Sequence, residues 1–228
     1  MTRQQKLQEV QRRLAVFYGE LQWQSGLDPV AELVNTILSQ ATSDINRDKG
    51  FAALQERFAN WTEVMDADPE DVVAAIWPAG LANQKGPRIQ AALRTIWTRR
   101  GTMNLDFLAK LPLQEAKAWL TSIDGVGPKT AAIILLFAFN RPTFPVDTHV
   151  YRISQRVGLI ETKVTADKAH DLLENAGEPV TFYSLHLNLI RHGREVCQAR
   201  QPRCEICVLQ AICDYYQEVV NHMDKENG

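Results

Sequence analysis

At 228 residues the chain is long enough for one large domain or two small ones, each with a buried core. A hydrophobic share of 45% is ordinary for a globular protein, and no apolar run is long enough to span a bilayer, so a helical membrane protein is excluded. The net charge of −2 excludes a uniformly basic nucleic-acid binder, so any grip on phosphate has to be local.

The opening stretch MTRQQKLQEVQRRLAVF is polar and helical in period, unlike a signal peptide, and an intracellular, cytoplasmic protein is expected. Asp28-Pro29 opens an apolar-periodic segment (Val30, Leu33, Val34, Ile37, Leu38), with Asp as N-cap and Pro at the first helical position. Asp44 is expected to cap the helix that follows it. Further helices are predicted over about 46–57, 69–77, 84–99, 112–121, 128–140, 148–157, 166–175, 182–195 and 205–219, with a weakly structured tail after Val220. No alternation of period two and no hairpin dipeptide stands between apolar runs, so the fold class is all-α. The two prolines of RPTFP (Arg141 to Pro145) force extended chain and mark the expected domain break. Charge is uneven: Asp66, Asp68, Glu70 and Asp71 crowd one segment, and Arg191, Arg194, Arg200 and Arg203 another. The arginines suit a phosphate-gripping patch, and a solvated helix face explains them equally well.

The stretch SIDGVGPKTAAIILLFAF, from Ser122 to Phe139, carries the chemistry. A helix ends, Gly125 and Gly127 allow positive φ and close backbone approach, and Pro128 starts a second helix. Free N–H groups at such a helix start can hold a phosphate oxygen, which is the helix-hairpin-helix way of gripping a DNA backbone without reading bases. The helix that follows is apolar all round and should lie in a core. Lys129 sits in its first turn, where the macrodipole disfavours a cation. A snorkelling surface lysine is the ordinary reading; a partly desolvated amine there would be a usable nucleophile.

The helix from Pro128 to Asn140 carries the backbone about 18–20 Å away from Lys129. The extended segment Arg141–Val146 can return roughly 20 Å, bringing Asp147 in VDTHVYR back to the level of the lysine. Asp147 reads as the N-cap of the next helix, a role compatible with an ionised carboxylate that stabilises a sugar cation.

All four cysteines, Cys197, Cys204, Cys207 and Cys213, fall in one stretch with the spacing C-x6-C-x2-C-x5-C. Structural zinc sites more often pair two short knuckles, and wide spacings suit a cubane; a disulfide network is the alternative, disfavoured in a cytosolic chain.

LTSIDGVGPKTA followed by FPVDTHVYR resembles the helix-hairpin-helix, Gly/Pro-rich loop and aspartate of the endonuclease III family of DNA glycosylases, over about residues 23–216. The resemblance implies two helical domains flanking a DNA-binding cleft: a six-helix domain, 23–140, and an iron-sulfur domain made of 1–22 with 141–228. It implies a bifunctional glycosylase and abasic-site lyase of base excision repair. The enzyme would act on oxidised pyrimidines in duplex DNA, as a monomer, on nucleotides swung out of the helix. Lys129 would attack the sugar C1′ with help from Asp147, and the resulting Schiff base would lose the 3′ phosphate by β-elimination. The cysteine spacing is the one the family uses for a 4Fe-4S cluster, whose closed ligation implies a structural role. The intervening loop QARQPR would present Arg200 and Arg203 to phosphate.

AGLANQKG resembles the family's wedge loop, which assigns Leu81 to the void left by the extruded nucleotide, with a core residue as the alternative. Asn83 and Lys85 would contact the DNA backbone. LSQATSD resembles the second inserting segment; where many members have two glutamines this chain reads Gln40-Ala41, so alanine would stand at the filling position. His149 would orient Asp147 or touch phosphate, or serve structure alone. A monofunctional glycosylase for mismatched or alkylated bases, a non-catalytic DNA-binding protein and an electron carrier are the competing readings.

Overall fold

The computed structural model describes residues 1–24 and 26–220, and the expected tail after Val220 lies outside the described residues. Among the described residues there is no β-strand, so the chain is all-α. It divides into two compact units, one of Met1–Gln24 with Pro142–Gly228 and the other of Ser25–Arg141.

The second unit holds helices α2 (Pro29–Ser39), α3 (Asp44–Arg57), α4 (Trp61–Asp66), α5 (Pro69–Ala75), α6 (Ala82–Arg100), α7 (Leu113–Thr121) and α8 (Pro128–Phe139). One helix more than the expected six is present. The addition, α4, starts where the Asn60 side chain accepts from the Glu63 N–H and the Glu63 carboxylate accepts from the Ala59 N–H, so two orphan donors are satisfied reciprocally. Asp28 caps α2 as expected, accepting from the amides of Val30 and Ala31, with Pro29 at the first position. Asp44 does not cap α3: Ser43 does, and Asp44 pairs from inside the first turn with Arg47.

Helix α8 is the centre of this unit. Thr130, Ala131, Ala132, Ile134, Leu135 and Leu136 are buried, and the helix packs on α2 and α7. Leu33 and Ile37 of α2, Ile89 and Leu93 of α6 and Leu120 of α7 complete the cluster, all at zero exposure. Each such side chain contributes about 1.5–3 kcal/mol of transfer free energy. Beyond α8, the Arg141 guanidinium donates to the carbonyls of Leu108 and Leu111, which ends the helix against the preceding 3-10 turn.

The first unit joins α1 (Arg3–Tyr18) to α9 (Thr148–Val157), α10 (Ala166–Ala176) and α11 (Phe182–Glu195). Leu7, Val10 and Leu14 of α1 are buried, and α1 packs on α10 and α11. The helix expected over 205–219 is absent. Two 3-10 turns, Cys204–Ile206 and Gln210–Ile212, and a π turn at Tyr216–Val220 replace it. Short turns fold the chain back on itself so that the cysteines converge, which one straight helix would prevent.

Candidate DNA-repair site

Asp147 is held by the segment that precedes it. Thr143, Phe144, Pro145 and Val146 are buried in extended chain, and three side chains tie their backbone down. His170 Nδ1 lies 3.0 Å from the Phe144 carbonyl, His186 Nδ1 lies 3.0 Å from the Pro145 carbonyl, and Glu174 accepts from the Phe144 N–H at 2.9 Å. A carbonyl only accepts, so each of these nitrogens carries the proton. Asp147 then caps α9, its Oδ1 accepting from the Val150 N–H at 2.7 Å. Two of these anchors, His170 and His186, had no signal in the sequence beyond being histidines on helices.

Lys129 stands in the first turn of α8, exposed, as are Gly127 and Pro128 before it. The partial desolvation expected of its amine is not seen at this exposed position, and a Cβ built on Gly127 would meet no atom within 4 Å. Gly125 has φ +78°, as a tight turn requires, and a Cβ there would sit 2.6 Å from Arg88 Cδ. Gly127 does not need positive φ. At φ −86°, ψ 178° it is extended and serves as the side-chain-free N-cap of α8. The turn thus presents bare backbone beside the lysine.

Lys85 is not at a DNA surface. It is 1% exposed, and its Nζ donates to the Leu38 carbonyl at 2.7 Å and the Ala79 carbonyl at 2.8 Å. Burial pushes its pKa down from the ordinary lysine value. Its ammonium ties the end of α2 to the turn that leads into Leu81, so a phosphate contact is ruled out by its side-chain placement. Leu81 itself is 51% exposed and left-handed at φ 51°, which removes the core alternative. Asn83 is exposed in the first turn of α6. Ala41 is exposed and also left-handed at φ 51°, while Gln40 Oε1 accepts from Arg88 Nη1 at 2.8 Å. Arg88 therefore joins Gln40 to the Gly125 turn, a link invisible in the motif spacing.

In the other unit the four cysteines line one cavity with Arg156, Arg203, Tyr215 and Tyr216. Burial pushes the Cys207 thiol up to about 12, and burial likewise raises Cys204 and Cys213. Among the described residues no group of His, Cys, Asp or Glu is placed to hold a single metal ion. Four sulfurs around one cavity fit a multi-iron cluster with a corner for each. Arg156 was not foreseen as part of this box. Its Nη1 donates to Cys197 Sγ at 3.3 Å and to the Gln198 carbonyl at 2.6 Å, and its Nη2 donates to the Ala199 carbonyl at 2.8 Å. It holds the start of the loop on which Arg200 and Arg203 are exposed. His149 Nδ1 lies 3.1 Å from Arg152 Nη2, and Arg152 also donates to the carbonyls of Gly193 and Cys197.

A helical pair joined by a glycine-proline turn, with a lysine opening the second helix, is the architecture of base excision repair proteins. The family described as HhH-GPD superfamily base excision DNA repair protein matches residues 34–179. Endonuclease III of Thermotoga maritima is 33% identical over 193 residues, covering 83% of this chain and 84% of its own. Endonuclease III of Escherichia coli K12 is 31% identical, covering 84% and 86%. The fold of an endonuclease III solved in a non-covalent complex with DNA superposes with a TM-score of 0.81 at 24% identity, over 97% of this chain and 99% of that one. The chain belongs to the endonuclease III family of the HhH-GPD superfamily, a family of DNA glycosylases with abasic-site lyase activity.

Proposed function

We propose that Lys129 and Asp147 carry the chemistry of a bifunctional glycosylase and abasic-site lyase that removes oxidised pyrimidines from duplex DNA. The observation that carries this reading is the exposed Lys129 amine beside the open Gly127 turn, in a chain of this family. The neutral amine forms a bond to C1′ as the glycosidic bond breaks, and the base leaves with the electron pair. The Asp147 carboxylate stabilises the cationic sugar that develops. The ring opens to a Schiff base, a proton leaves C2′, and the C3′–O bond breaks to release the 3′ phosphate. The backbone N–H groups of Gly127 and Lys129, which flank the donor-less Pro128, hold a phosphate, and the open space at Gly127 supports this.

Leu81, exposed on its left-handed turn, enters the duplex as the wedge; Gln40, Ala41 and Asn83 line the same work, and His149, Arg200 and Arg203 contact the backbone. Cys197, Cys204, Cys207 and Cys213 hold a 4Fe-4S cluster, which when bound supplies a four-point cross-link with no open coordination site. The common cavity and the thiol donor set support that assignment.

Borohydride trapping on duplex oligonucleotides, each bearing one oxidised pyrimidine, tests the nucleophile. The native protein should yield a covalent protein–DNA adduct, and Lys129→Ala should yield none. An undiminished adduct in Lys129→Ala would remove the assignment. Asp147→Asn should keep the α9 cap, because Asn accepts the same bond. Base release should nevertheless fall on the order of 10²–10³-fold in single-turnover assays.

A further inference from the structure

The side chain of His192 is 1% exposed and has a partner at each ring nitrogen. Nδ1 lies 3.2 Å from the Tyr18 hydroxyl, and Nε2 lies 3.4 Å from Cys207 Sγ. With a free thiol, two tautomers satisfy this arrangement, since hydroxyl and thiol can each donate or accept. A cysteine bound to iron is a thiolate and has no proton to give. Once Cys207 ligates, one tautomer remains: Nε2–H donates to the sulfur and Nδ1 accepts from Tyr18.

We infer that His192 is a hydrogen-bond donor to the cluster through Cys207, oriented by Tyr18, and that it sets the cluster's reduction potential. This rests on the cysteine box holding a 4Fe-4S cluster. An N–H donor draws electron density from the ligating sulfur and favours the more negatively charged, reduced state, so the potential rises. The scaffold for the contact extends well beyond the box. His192 sits on α11, which packs on α1, and Tyr18 is the last residue of α1. The Arg191 guanidinium lies 4.7 Å from the Tyr18 ring centroid and backs the phenol. Arg156 also donates to a cysteine sulfur, but its bonds to the 198–199 backbone make it part of the loop's structure. The His192 side chain meets the box only at this sulfur, while its backbone carbonyl accepts from the Cys197 N–H at 2.8 Å, and the side-chain contact makes it a positioning residue for the cluster's electronic state.

The purified full-length protein is first assayed for iron and acid-labile sulfide, then brought to a paramagnetic state by one-electron oxidation or reduction. With ¹⁵N-histidine label, pulsed EPR should detect ¹⁵N coupling to the cluster in the native protein. Film voltammetry should show a more negative potential for His192→Leu, a smaller negative shift for Tyr18→Phe, and a native-like value for His192→Gln, which keeps a donor at that reach. A role in packing alone would move neither the coupling nor the potential. A loaded cluster without ¹⁵N coupling overturns the inference, and so does an unshifted potential in His192→Leu. If His192→Leu fails to load, the native coupling and the Tyr18→Phe potential decide. Absence of iron and sulfide from the native protein overturns the cluster reading, and this inference with it.

Discussion

Lys85 and Lys129 both sit in the first turns of helices, and their surroundings differ. Lys129 is open to solvent beside a bare turn, whereas Lys85 is sealed between two carbonyls. A buried cation is tolerated only when its donors are satisfied, and each such charge-assisted bond is worth about 1.5–3 kcal/mol against the cost of orphaned acceptors. Glu32 on α2 shows the opposite arrangement. It is 9% exposed, and burial pushes its carboxyl up, against a smaller opposing effect of the Thr36 hydroxyl. The folded protein therefore binds this proton more tightly than the unfolded chain does. Its stabilising share is complete below the ordinary carboxylate range and is lost as pH rises through the raised folded pKa. Glu32→Gln keeps the acceptor for Thr36 and removes the titration. Its melting temperature should exceed that of the native protein at neutral pH and match it below about pH 4. A difference between the two that does not change with pH would refute this account.

At the scale of elements, the hairpin turn separates two kinds of glycine. Gly125 is held at positive φ against Arg88, so Gly125→Ala should cost roughly 1–2 kcal/mol of stability in urea denaturation and disturb the Arg88–Gln40 bond. Gly127 is extended and faces open space, so Gly127→Ala meets no clash and should cost only about 0.5–1 kcal/mol, the loss of a glycine N-cap. Its added methyl should nonetheless weaken duplex binding, because it occupies the approach to the amides. Native affinity in Gly127→Ala would show that phosphate is not held there.

Most helices were legible because apolar period, Asp-Pro starts and proline breaks agree along the chain; α9 spans Thr148–Val157 as its spacing predicts. The short α4 was hidden because its signal is a reciprocal cap rather than a period. The cysteine segment reads in sequence as one helix because its apolar residues fall at helical spacing, while convergence of four sulfurs dictates turns. Lys85 was misassigned for a related reason: a lysine in a polar loop motif reads as surface until packing encloses it. Lys129 and Asp147 stand out in the sequence through their motifs, whereas the buried histidines behind Asp147 and the reach of Arg156 depend on contacts far apart in sequence.

At the scale of the molecule, a protein of net charge −2 that grips a polyanion must do so through neighbouring cations rather than its overall field. Screening confines charge effects to about 8 Å at physiological salt, so acidic residues farther away oppose binding little. The loop from Gln198 to Arg203 is well suited to this. Its start is fixed by Arg156, its end by the Arg203 N–H on the Val196 carbonyl at 2.9 Å, and both of its arginine side chains are exposed. A guanidinium on an anchored loop loses less conformational freedom on meeting phosphate than one on a loose loop. Each phosphate contact releases counterions and adds about 0.9 to the slope of log affinity against log salt. Arg200→Ala and Arg203→Ala should therefore each flatten that slope by about this amount, lower affinity alike for undamaged and lesion-bearing duplex, and leave the ratio between the two unchanged. Titrations by fluorescence anisotropy at several salt concentrations measure both quantities. If the slope and the lesion ratio both stay at their native values in both variants, the loop does not meet DNA. If the lesion ratio collapses while the slope holds, these arginines serve recognition of the extruded nucleotide instead of the backbone.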